Sequence, residues 1–378
     1  KGRDGTPSRP YRRFRNDKPF WMHQTYVVLT SLRLQDFRCF ESLDLEAPEA
    51  GAILIGNNAQ GKTSILEAIC MLVRLHSPRT HRMGSLARFS TKGFGIAGNP
   101  WLSERQVRHS REGLQLRVEE EPRNKKSDYL HDGGRIVWLG NEDVELVRGP
   151  GEGRRRYLDF IGSQLEPNYL HSWSRYRRAL RAKNLLLKES RLRDSEIHAY
   201  EEILIEHGTF LMQVRARIVK ELGPLCADAQ NTVSCKHEPL TIQYLPGSGQ
   251  DLKESIHQAH ERERKLRQAV VGPHRDDLAL RIHDMPANEF ASEGQQRTLA
   301  LALKLGQGHL LAQHQGAQPI YLLDDIFGEL DVSRRNALMG HLPNKAQIWI
   351  TTTHLDWMGD THGLEALRKV TVENGKCG

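Results

Sequence analysis

Gly56-Asn57-Asn58-Ala59-Gln60-Gly61-Lys62-Thr63 fits the pattern G-x-x-x-x-G-K-[ST] at every fixed position, and its flanks say how it must fold. Before it, Ala52-Ile53-Leu54-Ile55 is a short apolar run that reads as a buried strand. After it, Ser64-Ile65-Leu66-Glu67-Ala68-Ile69, continued by Leu72 and Val73, reads as an amphipathic helix. Strand, glycine loop and helix in that order predict an α/β architecture. The glycines let backbone N–H groups turn inward, and the helix N-terminus adds about half a positive charge facing any anion held there. The ligand such a loop suits is a nucleoside triphosphate. Gly56, Asn57, Asn58, Ala59, Gln60, Gly61 and Ser64 would wrap it, Lys62 would reach the β and γ phosphates, and Thr63 would ligate Mg²⁺. A chance glycine turn before a helix is the alternative.

Catalysis needs a second strand carrying acid, and Pro319-Ile320-Tyr321-Leu322-Leu323-Asp324-Asp325 supplies one. Its apolar run suits a strand buried on both faces, so its carboxylates emerge at the C-terminal edge, where open α/β sheets bind ligands. Asp324 is then the Mg²⁺ residue and Asp325 the one that orients or deprotonates water. Two adjacent acids could instead cap the next turn. Upstream, Ser292-Glu293-Gly294-Gln295-Gln296 leads into Arg297-Thr298-Leu299-Ala300-Leu301-Ala302-Leu303-Lys304-Leu305, a run of strong helix formers that is apolar around most of its circumference. Ser and Gly there are ordinary capping chemistry. A helix N-terminus with hydroxyl and amide donors is also what a γ-phosphate needs from its far side, so an ATP-dependent homodimer is expected.

With these motifs in place the chain resembles the RecF family of DNA-repair ATPases, within the ABC/SMC/Rad50 class. The resemblance runs from about Leu32 to His354. It includes Leu34-Gln35-Asp36-Phe37-Arg38-Cys39-Phe40, Gly153-Arg154-Arg155-Arg156-Tyr157-Leu158-Asp159 and Gly272-Pro273-His274-Arg275-Asp276-Asp277-Leu278, all in family order. It implies that Ser292, Glu293, Gly294, Gln295 and Gln296 form the signature motif contacting a partner subunit's nucleotide. Asp331 resembles the D-loop aspartate at the dimer interface, His354 resembles the catalytic switch histidine, and Arg38 sits where related ATPases place a basic residue near the nucleotide. One departure stands out: Val137-Trp138-Leu139-Gly140-Asn141-Glu142-Asp143 takes the place of the Q-loop without a Gln, leaving Asn141 as the substitute.

Composition agrees. The 378 residues are 38% hydrophobic and 27% charged, a globular mixture, and no apolar run approaches the roughly 18 residues that span a bilayer. Cys39, Cys70, Cys226, Cys235 and Cys377 are scattered without C-x-x-C spacing, which suits a reducing cytoplasm. The net charge of +7 is mostly local: Lys1 to Lys18 holds seven Lys or Arg against two Asp. Residues 1–25 therefore read as a basic, disordered extension, or as upstream sequence outside the native product. From Gly151 to Lys220 there are 14 basic and 9 acidic residues. Arg154, Arg155, Arg156, Arg175, Arg177, Arg178, Arg181 and Lys183 interleave with Tyr169, Trp173 and Tyr176, a pattern that either contacts DNA phosphates or forms a solvated helix face.

The expected architecture is an ABC-type ATPase head assembled from 26–150 and 268–378, with a mainly helical arm at 151–267. In it Glu261-Arg262-Glu263-Arg264-Lys265 reads as an exposed helix and Gly247-Ser248-Gly249 as a flexible turn. The resemblance implies a cytoplasmic protein that clamps duplex or gapped DNA, works with RecR and indirectly RecA, and hydrolyses ATP slowly. A transporter ATPase subunit and an ATP-gated scaffold with little turnover are the alternatives. The basic arm disfavours the first; Asp325, shorter than the usual Glu, leaves the second open.

Overall fold

The computed structural model describes residues 28–101, 103–131, 133–190 and 193–378; the basic segment expected at 1–25 lies outside the described residues. Apolar alternation builds the first layer. Strands β1 (Leu29–Phe37) and β2 (Phe40–Glu46) bury Leu32 and Leu34, and Leu43 and Leu45, with the alternation of a half-solvated antiparallel sheet, and bury Phe37 and Phe40 at the turn after three-residue steps. They join β4 (Phe94–Pro100), β5 (Arg105–Ser110), β6 (Gly113–Val118) and β7 (Glu121–Pro122) in a six-stranded sheet of order β2-β1-β4-β5-β6-β7.

The second layer follows the other rule. β3 (Gly51–Ile55), β8 (Ile136–Gly140), β12 (Ile320–Asp324) and β13 (Ile348–Thr352) are almost uninterrupted apolar runs, as strands covered on both faces must be. With β14 (Arg368–Glu373) they pair in parallel, and β15 (Lys376–Cys377) closes the edge antiparallel, giving the order β15-β14-β3-β13-β12-β8. Ile53 pairs with Ile350, which pairs with Leu323, so β13 alone separates the glycine-loop strand from the acid-bearing strand.

Helix α1 (Lys62–Arg74) packs against strands of both sheets, and every residue but Thr63 is buried. The sequence reading of an amphipathic helix is corrected here: a second sheet covers the face that solvent was expected to wet. Charge on that face is neutralised internally, with Glu67 fully buried and held by Arg38 Nε and Nη2 at 2.8 and 2.7 Å and by Ser77 Oγ at 2.5 Å.

The chain continues through α2 (Lys126–His131), α3 (Glu145–Arg148), α4 (Gly151–Leu165), α5 (Tyr169–Leu186) and the 41-residue α6 (Asp194–Ser234). It then forms β9 (Leu240–Leu245), α7 (Leu252–Leu266), β10 (Asp277–Ile282), β11 (Met285–Pro286), α8 (Ala287–Phe290), α9 (Glu293–Gln315) and α10 (Val332–His341). Two observations bear on the expected arm at 151–267. Helix α6 packs along α9, and one apolar core runs from Leu211, Ile218 and Cys226 through Leu303 to Ile53, Leu323 and Ile350. Gly306 permits the approach, since a Cβ there would sit 2.5 Å from Cys226 Sγ. In addition β9 pairs with β10, so the sheet β11-β10-β9 crosses the boundary drawn at 267.

The Gly272–Leu278 segment fastens this junction. Arg215, on the apolar face of α6, reaches Asp276 Oδ2 at 2.6 Å, Pro273 O at 2.7 Å and Asp159 Oδ1 at 2.7 Å, while Asp276 also accepts from Gly247 N at 2.7 Å and from Tyr244 Oη. Gly247 O in turn accepts from Gly272 N. The turn read as flexible is thus tied at both its amide and its carbonyl. The exposed-helix reading of 261–265 holds at Glu261, Arg262, Arg264 and Lys265, and fails only at Glu263, which is buried.

Candidate nucleotide site

The glycine loop joins β3 to α1. Gly61, at φ +108°, precedes α1 without any side-chain cap, so the helix's first N–H groups are left for an anion. A Cβ at Gly61 would collide with Cys39 Sγ and Phe40 Cζ, at 2.6 and 2.7 Å, so only glycine fits there. Lys62 is buried and folds back over the loop, donating from Nζ to Gly56 O at 2.6 Å and Asn57 O at 2.8 Å. Burial pulls its pKa down, against the opposing charges of Asp325 and Asp324.

Opposite it, Thr63 Oγ1 donates to Asp324 Oδ1 at 2.7 Å across 261 residues of sequence, and Thr351 Oγ1 donates to the same oxygen at 2.7 Å. The hydroxyl and the carboxylate expected to share a metal therefore meet. An all-oxygen set of this kind fits a hard cation such as Mg²⁺. Burial raises the Asp324 pKa, opposed by the Thr351 and Thr63 hydrogen bonds. Asp325 sits in a left-handed conformation, φ +54°, with its N–H on Thr351 Oγ1 at 2.9 Å. Burial raises its pKa as well, countered by Lys62 and His354 and reinforced by Glu329. His354 is exposed, with Asp356 at 3.5 Å.

Asn141, at the end of β8, donates to Asp325 O at 3.1 Å and to Glu329 Oε1 at 2.9 Å. Glu329 also pairs with Arg297 of α9, which pairs with Glu293 at 2.9 Å. The acid loop is thereby wired to the start of α9. There Ser292 is exposed and caps α9 in a capping box: its Oγ accepts from Gln295 N at 3.3 Å, and Gln295 Oε1 accepts from Ser292 N at 2.9 Å. Gln295 Nε2 donates to Glu238 at 3.0 Å, Gln296 Nε2 donates to Ala291 O, and a Cβ added at Gly294 would lie 3.4 Å from the Arg334 guanidinium. Among the described residues no hydrogen bond joins 292–296 to the glycine loop of the same chain. Asp331 caps α10 through Arg334 N. Arg38 is spent on Glu67 and Ser85 O, beneath the loop.

The eight basic residues separate. Arg175, Arg177, Arg178 and Arg181 are exposed along α5, with the Arg177 guanidinium 4.6 Å over the Trp173 ring, while Tyr169 and Tyr176 are buried. Arg156 is exposed and paired with Glu152. Arg154 grips Asp277 at 2.7 and 3.0 Å and Arg155 holds Asp276 O at 2.9 Å. Lys183 is corrected outright. It is 1% exposed, between Glu201 at 2.9 Å and Glu263 at 2.6 Å, and cannot reach a phosphate.

Residues 31–203 match the family model described as AAA domain. The DNA replication and repair protein RecF of Gloeobacter violaceus is 32% identical over 93% of this chain and 98% of its own length; that of Nostoc punctiforme is 36% identical over 93% and 99%. The chain belongs to the RecF family. A solved structure of "the recombination mediator protein RecF-ATPrS in RecFOR pathway" superimposes with TM-score 0.84 at 27% identity, covering 94% of this chain and 98% of that one. The Smc head domain from Pyrococcus furiosus, at TM-score 0.52 and 16% identity, shares the fold. This RecF-family chain is an ATP-binding DNA-repair ATPase with an ABC-type head. No helix among its described residues is long and apolar enough to cross a membrane.

Sequence reasoning missed Thr351, Glu329, Arg297 and Arg215. Arg215 had a signal: it lies four residues after Leu211 and one after Val214, a cation inside an apolar helix stripe.

Proposed function

We infer that two copies of this chain close on ATP, each glycine loop and acid pair being completed by segment 292–296 of the other copy, and that the closed dimer clamps DNA. The observation carrying this reading is the meeting of Thr63 and Asp324 beside a glycine loop to which segment 292–296, with Ser292 and Glu293 exposed at the start of α9, makes no direct hydrogen bond among the described residues of one chain. Bound Mg²⁺ would supply charge neutralisation at the β and γ phosphate oxygens, held by Thr63 and Asp324. Lys62 leaves the carbonyls of Gly56 and Asn57 for those phosphates. Asp325, with its proton affinity raised by burial, orients the attacking water and takes its proton, while His354 and Asn141 fix the carboxylate's surroundings. The relay Glu293–Arg297–Glu329–Asn141 carries closure at one segment to the acid loop, so turnover is slow until closure occurs and release follows it.

DNA contact falls to Arg175, Arg177, Arg178, Arg181 and Arg156, which face solvent. Kinship with the RecF family adds gapped DNA, RecR and, indirectly, RecA as partners. The test is a salt titration of duplex binding with a non-hydrolysable ATP analogue. Each phosphate contact adds about 0.9 to the slope of log affinity against log salt, so Arg177→Glu with Arg178→Glu should flatten the slope by about 2 per copy. Ser292→Arg should lose dimerisation and the ATP-dependent component together. ATP-dependent binding that survives both changes at full slope would sink the clamp.

A further inference from the structure

Away from the nucleotide, the tip formed by α5, α6 and α7 encloses a second concentration of charge. Glu201, one turn after His198 on α6, is buried; His260 approaches from α7 and Lys183 from α5. His198 Nδ1 is 3.0 Å from Glu201 Oε2, and His260 Nε2 is 3.0 Å from Oε1 and 3.2 Å from Oε2. One ligand atom from each of the three residues lies within 4.8 Å of the others, around a cavity of about 10 Å³, room for one small occupant.

We propose that His198, Glu201 and His260 bind a divalent transition ion of the zinc class, pinning α6 to α7. Two imidazoles and one carboxylate are the donor set of three-ligand zinc sites, which keep a fourth position for water. Tetrahedral bonds of about 2.0–2.2 Å place ligand atoms roughly 3.3 Å apart, so the two 3.0 Å His–Glu spacings need to open by a few tenths of an ångström, while the two imidazole nitrogens, within 4.8 Å of each other, settle to the same spacing.

Charge argues the same way. The groups facing the cavity are Lys183 from α5, Asp194, His198 and Glu201 from α6, and His260, Glu263 and Arg264 from α7. Arg264 pairs with Asp194 at 2.8 Å, leaving two buried carboxylates against one ammonium. Glu201 Oε1 and Glu263 Oε2 lack a well-directed donor, although Lys183 Nζ stands close to both. An ion on the Oε2 side of Glu201 offsets this surplus while Lys183 keeps the Oε1 side. The sequence shows the pair as His198-x-x-Glu201, two ligands at i and i+3 on one helix face.

The full chain, with ATP and Mg²⁺ present to occupy the nucleotide site, is dialysed against Zn²⁺ and against Co²⁺, and bound metal is counted by elemental analysis. The wild type should retain one equivalent more than the His198→Ala, His260→Ala double variant. Its Co²⁺ form should show a visible ligand-field band that the double variant lacks, and Zn²⁺ should raise its melting temperature alone. His198 is half exposed, so His198→Gln alone tests the site without touching the core and should weaken binding at least tenfold. Equal retention in wild type and variants, or retention by neither, would show that the array is only a hydrogen-bonded His–Glu–His group and overturn the proposal.

Discussion

Replacing Arg215 by Met isolates the junction between α6 and the Gly272–Leu278 segment. The guanidinium is 4% exposed and makes its bonds to Asp276, Pro273 O, Asp159 and, through Nε, Tyr169 Oη at 3.2 Å. Met fills most of the volume but neutralises nothing. Asp276, fully buried, keeps only Tyr244 Oη and Gly247 N; Asp159 keeps Tyr169 Oη and Trp173 Nε1. Removing one partner of a buried ion pair costs about 3–5 kcal/mol. With an unfolding entropy of about 2.1 cal/mol/K per residue over roughly 350 residues, the melting temperature should fall by about 4–7 °C. Adding Asp276→Asn removes the stranded charge and should recover part of the loss, giving a coupling energy of about 1–3 kcal/mol. The measurement is a double-mutant cycle by calorimetry. A single-variant loss under about 1 °C, or strict additivity in the cycle, would refute the claim that Arg215 is the electrostatic fastening of this junction.

Asp325→Asn should keep ATP binding and the ATP-dependent dimer while lowering turnover by about 10²–10⁴, whereas Asp324→Asn should weaken assembly itself, because two hydroxyls bond its Oδ1 and its carboxylate would hold the Mg²⁺. Sedimentation with ATP plus steady-state turnover separates them, and equal loss of dimer in both variants contradicts the division of roles. Burial holds His274 and His76 down to about 4. Their folded pKa values lie below the unfolded 6.5, so the native state rejects a proton that the unfolded chain accepts. Stability is then complete above pH 6.5 and lost as pH falls towards 4, by at most about 3 kcal/mol per histidine. His274→Gln can still bond Tyr176 and Ala269 O, and should flatten the fall of melting temperature over that window. An unchanged pH slope speaks against it.

The glycine loop, the acid strand and the start of α9 were readable because each depends on short-range rules: two glycines and a lysine at fixed spacing, an apolar run ending in acid, a capping serine. Pairing Thr63 with Asp324 needed only the assumption that both strands enter one parallel sheet. What stayed hidden depends on long-range burial. Lys183 looks like its neighbours Arg178 and Arg181 in sequence, and only the arrival of Glu201 and Glu263 from two other helices turns it inward. Thr351 carries no signal of its own in the sequence, and Arg154 looks like part of a basic run, until Asp325 and Asp277 come alongside. The second sheet over α1 was equally silent, since its strands alternate without naming the surface they cover.

The strand order of the central sheet also sets a timetable for synthesis. β3 leaves the ribosome early, yet both of its neighbours, β13 and β14, are made about 290 residues later, counting from Ile55 to Ile348. At about 5–20 residues per second that is a wait of roughly 15–60 s, during which the phosphate loop has no sheet to stand on. The nascent chain therefore cannot acquire a working nucleotide pocket before the strands bearing Asp324 and Thr351 have emerged. A ribosome-bound fragment ending before β12 should be inert towards ATP, with β3 an apolar strand still lacking its sheet partners.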